Sequence, residues 1–106
     1  MTQVVAHTVR LLYFEDCPNW RVARARLTQA LAELGGDPGA VVYQEVTTPE
    51  QAAELGFRGS PTILVDGVDP FAGPDDPTGL SCRIYRTDTG LAPVPTVQQI
   101  RAVLAS

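Results

Sequence analysis

Cys17 stands in the stretch YFEDCPNWR, Tyr13 to Arg21, where an apolar run gives way to helical spacing. A thiol at a helix start faces unpaired backbone N–H groups with partial positive charge. These favour the thiolate, which is both the nucleophilic and the metal-binding form. Trp20 fills the position three residues on, where a Cys-x-x-Cys dithiol would carry its second sulfur, so Cys17 has no disulfide partner at that spacing. The remaining sulfur is Cys82, in GLSCRIY. A bond between the two would close a loop of about 65 residues, worth about 4 kcal/mol of chain entropy, provided the Cα atoms lie within roughly 7 Å. With Leu80 and Ile84 in phase at a period of two, Cys82 also reads as a small apolar residue on the core face of a strand. Two thiolates suit a soft metal ion, whereas two cysteines and one unrelated histidine fall short of a four-ligand zinc site.

Neighbouring residues carry weaker signals. Arg21 and Arg24 in the early helix oppose its dipole, which is poor for helix stability but suited to holding a negative sulfur, and Glu15 with Asp16 partly offsets them. Trp20 reads as an aromatic packed on the first helical turn, or as a surface on which substrate stacks. Arg83 and Tyr85 would point opposite to Cys82 in an extended chain. His7, the only histidine, precedes the first strand and reads as a surface residue with no triad around it. Asp75 and Asp76 read as a solvated turn in a proline-rich loop, or as part of a lid near Cys17.

A scaffold to position these groups is legible along the chain. HTVRLLYF ends in a continuous apolar run suited to a strand buried on both faces. Pro18 then suits the first helical residue, Ala23, Leu27, Ala30, Leu31 and Leu34 recur at helical spacing, and Gly35 with Gly36 stops the helix. AVVYQEV predicts a second strand, and strand–helix–strand implies a parallel crossover. In TPEQAAELG, Thr48 can cap a short helix that Pro49 opens, with Gln51 as the capping-box amide. SPTILVDGVDPF predicts a strand, an Asp66-Gly67 turn and a proline-limited edge segment. AGPDDPTG reads as loop and LSCRIYRT as a short extended segment, and after DTGLAPVP Thr96 caps a last amphipathic helix.

The 106 residues suit one domain, and a net charge of -4 with eight arginines and no lysine argues against a general phosphate-binding surface, so nucleic acid is not an expected partner. The N-terminal MTQVVAHTVRLLYF lacks the basic start, apolar centre and cleavage site of a secretory signal, and no stretch reaches membrane-span length. A cytoplasmic location without membrane contact follows as an expectation.

This order, with a cysteine at the first strand–helix junction, resembles the thioredoxin-like superfamily. FEDCPNW carries the resemblance at that junction, and LGFRGSPTILVDG carries it about forty residues later. The likeness spans Val9 to Leu104. It implies an α/β fold of three layers, a central mixed β-sheet flanked by helices in the order β-α-β-α-β-β-α, as a single thioredoxin-like domain over 1–106. It also implies a cis Ser60–Pro61 bond that turns the Ser60 backbone toward a docking substrate, with Trp20, Arg58, Ser60 and Pro61 lining the substrate site. Cys17 is then the nucleophile of a thiol-dependent redox protein that uses no cofactor. Cys82 or an external thiol resolves it, and the partner is a small thiol, as in monothiol members that use glutathione, or a protein disulfide. Cys17 and Cys82 are similar, more distantly, to the cysteine pair of the organomercurial lyase catalytic domain, which implies soft-metal or organomercurial binding through both sulfurs. The aspartate found in those lyases three residues after the first cysteine is Trp20 here, and Asp16 precedes Cys17 instead. A non-catalytic module docking a peptide along the Ser60–Pro61 edge is the third reading.

Overall fold

The structure, a computed structural model, describes residues 7–73 and 76–105. Its centre is a three-stranded mixed sheet in which β1 (Val9–Tyr13) lies between β2 (Val42–Glu45) and β3 (Thr62–Val65). β1 runs parallel to β2, as the strand–helix–strand order predicts, and antiparallel to β3. The register sets Leu11 opposite Ile63 and Leu12 opposite Thr62. Because side chains alternate along a strand, this gives two apolar faces. Val9, Leu11, Ile63 and Val65 pack with Ala23, Leu27 and Leu31 of α1 (Asn19–Glu33) and with Ile100 and Leu104 of α3 (Val97–Ala105). Leu12 and Leu64 pack with Ala52 of α2 (Pro49–Leu55) and with Phe57. Each fully buried Leu, Ile or Phe contributes about 1.5–3 kcal/mol of transfer free energy, so both faces are needed to hold β1 where Cys17 follows it.

The helices begin where their caps dictate. Thr48 Oγ1 accepts the Gln51 N–H at 3.1 Å, and the Gln51 side-chain oxygen Oε1 accepts from the Thr47 N–H at 2.8 Å. Thr96 and Gln99 make the reciprocal pair at α3, at 3.0 and 2.9 Å. Pro18 precedes α1 in helical conformation with no side-chain cap. Asp66 and Gly67 both take positive φ, 53° and 80°, and reverse the chain after β3 as expected.

Beyond β3 the chain departs from its predicted course. The edge segment after Asp66-Gly67 amounts to one bridge, Val65 to Val68, because Asp69 and Pro70 follow at once. Only the end of LSCRIYRT is strand, β4 (Tyr85–Thr87). It pairs with β5 (Gly90–Ala92), inside DTGLAPVP, for which the sequence predicts no strand. Thr87 Oγ1 closes this turn by donating to the Gly90 carbonyl at 2.6 Å. The order among the described residues is thus β-α-β-α-β-β-β-α, apart from a short 3-10 turn at Pro38–Ala40, and β4–β5 forms a sheet of its own instead of extending the central one.

Candidate functional site

Cys17 and Cys82 are joined by a disulfide, with Cα atoms 5.8 Å apart and a sequence separation of 65. Cys17 lies in the turn between β1 and α1, where its N–H donates to the Phe14 carbonyl at 2.9 Å. Its Sγ is 3.5 Å from Asn19 Nδ2, an amide donor in the first turn of α1, and 3.6 Å from the Ser60 carbonyl oxygen. The two cysteines differ sharply in exposure: Cys17 is 1% exposed, whereas Cys82 is an exposed residue. The core-face reading of Cys82 is therefore overturned. Ile84, in phase with it, is 68% exposed, and the alternate residues Arg83 and Tyr85 are the buried ones. Leu80 only half-buries itself, against the cluster around Leu12 and Phe57.

Ser60 ties together the elements that meet at the disulfide. Its Oγ accepts the Phe14 N–H at 2.9 Å, which fixes the β1–α1 turn. Its backbone N–H donates to the Ser81 carbonyl at 2.7 Å and its carbonyl accepts from the Arg83 N–H at 2.9 Å, a parallel bridge between Ser60 and Cys82. The Ser60–Pro61 bond is cis. The backbone edge that the sequence offers to a substrate chain is thus paired with the protein's own Ser81–Arg83 segment. Gly59 makes this approach possible. Its φ is 114°, and a Cβ there would fall 3.0 Å from Arg83 Cβ and 3.1 Å from Arg83 Cα.

Further contacts hold this segment independently of the sulfur bond. The Arg83 guanidinium donates to both carboxylate oxygens of Asp69, to one of them at 3.2 Å, with side chains 6% and 2% exposed, and it also reaches Thr62 Oγ1 at 3.4 Å. It lies 4.5 Å from the centre of the Tyr85 ring, and the Tyr85 hydroxyl donates to the Pro61 carbonyl. Burial raises the Tyr85 phenol well above its usual 10.0, so it remains a neutral donor.

The other residues singled out in the sequence take varied places. Trp20 is 8% exposed and stacked on Tyr13 with centroids 4.2 Å apart, an arrangement suited to packing. Arg21 and Arg24 lie over the Trp20 ring, at 4.7 and 5.5 Å from its centre, and Arg21 also pairs with Glu15 at 3.0 Å. Their charge is thereby engaged by an aromatic face and a carboxylate, not by the sulfur. Arg58 Nε donates to the Asp76 carbonyl at 3.2 Å, while the Asp76 carboxylate accepts from the Gly73 N–H; Asp75 lies outside the described residues. His7 is half-buried, with its side chain 12% exposed and its Nδ1 2.6 Å from the Asp66 carboxylate, which brings the chain before β1 against the turn after β3. Three contributors escaped the sequence reading. Asn19 had a local signal, an amide two residues past a cysteine at a helix start, whereas Asp69 and the Tyr85 hydroxyl act through partners far along the chain.

Among the described residues, no helix is long and apolar enough to cross a membrane, and no three His, Cys, Asp or Glu side chains cluster as a metal site. An open groove of about 260 Å³ runs past Cys82, lined by Asn19, Ile84, Leu91 and Pro93 among others. Compared with protein-family models, with curated proteins and with solved structures, the chain finds no match.

Proposed function

We propose that this chain is a thiol–disulfide oxidoreductase of thioredoxin-like fold, cycling Cys17 and Cys82 between disulfide and dithiol. One observation carries the reading: sulfurs 65 residues apart meet at the start of α1, beside the Ser60 carbonyl. The unpaired N–H groups of the α1 first turn and the Asn19 amide can stabilise a thiolate on Cys17 once the bond opens. The Ser60 bridge and the Asp69, Thr62 and Pro61 contacts hold Cys82 nearby, so the bond can re-form without a search through chain conformations. Alkylation of the reduced protein across pH, read by mass spectrometry, tests this. The expected result is a Cys17 apparent pKa below the free value of about 8.5, and return of the Cys17–Cys82 disulfide on mild oxidation. A Cys17 inert to alkylation, with no disulfide regained, would sink the reading.

The same juxtaposition favours a second reading, in which the reduced pair holds a soft metal ion or an organomercurial between its sulfurs. Titration of the reduced protein with Cd(II) separates the two. Uptake of one ion per chain that protects both thiols, without turnover of a disulfide substrate, selects the metal reading. The third reading, a docking module on the Ser60 edge, loses weight because Ser81 and Arg83 occupy that edge.

A further inference from the structure

The difference in exposure between the two cysteines bears on which of them exchanges with a partner. Thiol–disulfide exchange is an in-line displacement, so the incoming thiolate must reach the attacked sulfur from the side opposite the sulfur that leaves. Cys17 is 1% exposed, enclosed with Ser60 and Asn19, and offers no such path. Cys82 is exposed and lies on the open groove beside Ile84 and Pro93. The leaving side is also biased. Asn19 Nδ2 contacts the Cys17 sulfur at 3.5 Å and the α1 N-terminus adjoins it, whereas no hydrogen bond reaches the Cys82 sulfur among the described residues. A sulfur better stabilised as thiolate leaves faster, but the Ser60 carbonyl oxygen at 3.6 Å and the burial of Cys17 oppose its thiolate, so the assignment rests on access and the Asn19 donor is secondary to it.

Resting on the oxidoreductase reading above, we infer that Cys82 is the sulfur that bonds to the partner thiol, and that Cys17 is the internal leaving group and resolving thiolate. This reverses the roles that the helix-start position of Cys17 suggests. In the first step a partner thiolate attacks Cys82 Sγ. The partner–Cys82 disulfide forms, the Cys17–Cys82 bond breaks, and its electron pair stays on Cys17 as thiolate. A second partner thiolate then attacks the partner sulfur of the mixed disulfide and releases Cys82 as thiolate. Two partner thiols are oxidised to one disulfide, two electrons reduce the protein, and the protons pass to solvent or to the protein thiolates according to pH. In the opposite direction Cys82 attacks the substrate disulfide, and Cys17 displaces the reduced substrate from Cys82.

The test uses the oxidised wild-type chain with reduced glutathione as the thiol, quenched with acid within the first seconds. Free thiols are then alkylated and adducts mapped by peptide mass spectrometry. The initial adduct is expected on Cys82 over Cys17 by at least about tenfold, with the alkyl group on Cys17. The same reaction in urea sufficient to unfold the chain is expected to lose this preference, since burial then no longer separates the sulfurs. Glutathione found first on Cys17 in the folded chain, or a preference unchanged on unfolding, overturns the assignment while leaving the redox reading intact. A folded disulfide that yields no adduct on either cysteine overturns both.

Discussion

Asp69 and Arg83 set the energetics around the disulfide at the residue scale. Removing one partner of a buried ion pair leaves an uncompensated charge, so Asp69→Ala is expected to destabilise the chain by about 3 kcal/mol in urea unfolding. Asp69→Ala with Arg83→Met should recover part of this, because the orphaned cation is gone. Gly59→Ala is expected to disturb the same segment by another route. Its Cβ would meet Arg83 at 3.0 Å from a positive φ, so the 81–83 backbone must move off Ser60, and slower re-formation of the disulfide after reduction reads that out. The Asp66–His7 pair predicts a pH response. The His7 contact first, and the Thr8 N–H second, hold the Asp66 carboxyl below its usual 3.8. A depressed folded value means that the contribution is present above the unfolded pKa and is lost as pH falls through the folded one. Asp66→Asn should therefore lower stability near neutral pH and make no difference well below 3.8, as thermal unfolding across pH would check.

At the scale of elements, local chemistry decides what forms by itself. The α2 and α3 caps pair each threonine with a glutamine three residues on, and Thr48→Ala or Thr96→Ala is expected to cost about 1 kcal/mol, measured by chemical unfolding. These caps, the apolar period of α1, the β-branched run of β2 and the Asp66-Gly67 turn were legible because each depends on neighbours within one or two turns of chain. β5 was not. It is three residues long, with Gly90 at its start and Pro93 just after it, so only its pairing with β4 reveals it as a strand. The extended segment around Cys82 was legible as extended, but its partner was not, since a single bridge to Ser60 leaves no periodic trace.

Across the whole molecule, the Cys17–Cys82 bond links the β1–α1 junction to the segment that leads into β4. Closing its loop restricts the unfolded chain, so reduction is expected to lower stability by about 4 kcal/mol, seen as a lower urea midpoint for the reduced protein. The sequence by itself determined that a thiol stands at a helix start, that an α/β chain pairs its first two strands in parallel, and that Ser60–Pro61 precedes a buried strand. All of these follow from residue types at short spacing. It left open whether Cys82 faces core or solvent, whether the sulfurs meet, and what occupies the Ser60 edge. Tertiary structure alone decided these points, because contacts between residues 60, 69 and 83 set the phase of the Cys82 segment. The buried Arg83–Asp69 pair and the Tyr85–Pro61 bond draw the alternate residues inward and so turn Cys82 toward solvent and toward Cys17. Sequence order carries no record of such a choice, since both phases of a short strand satisfy the same period of two.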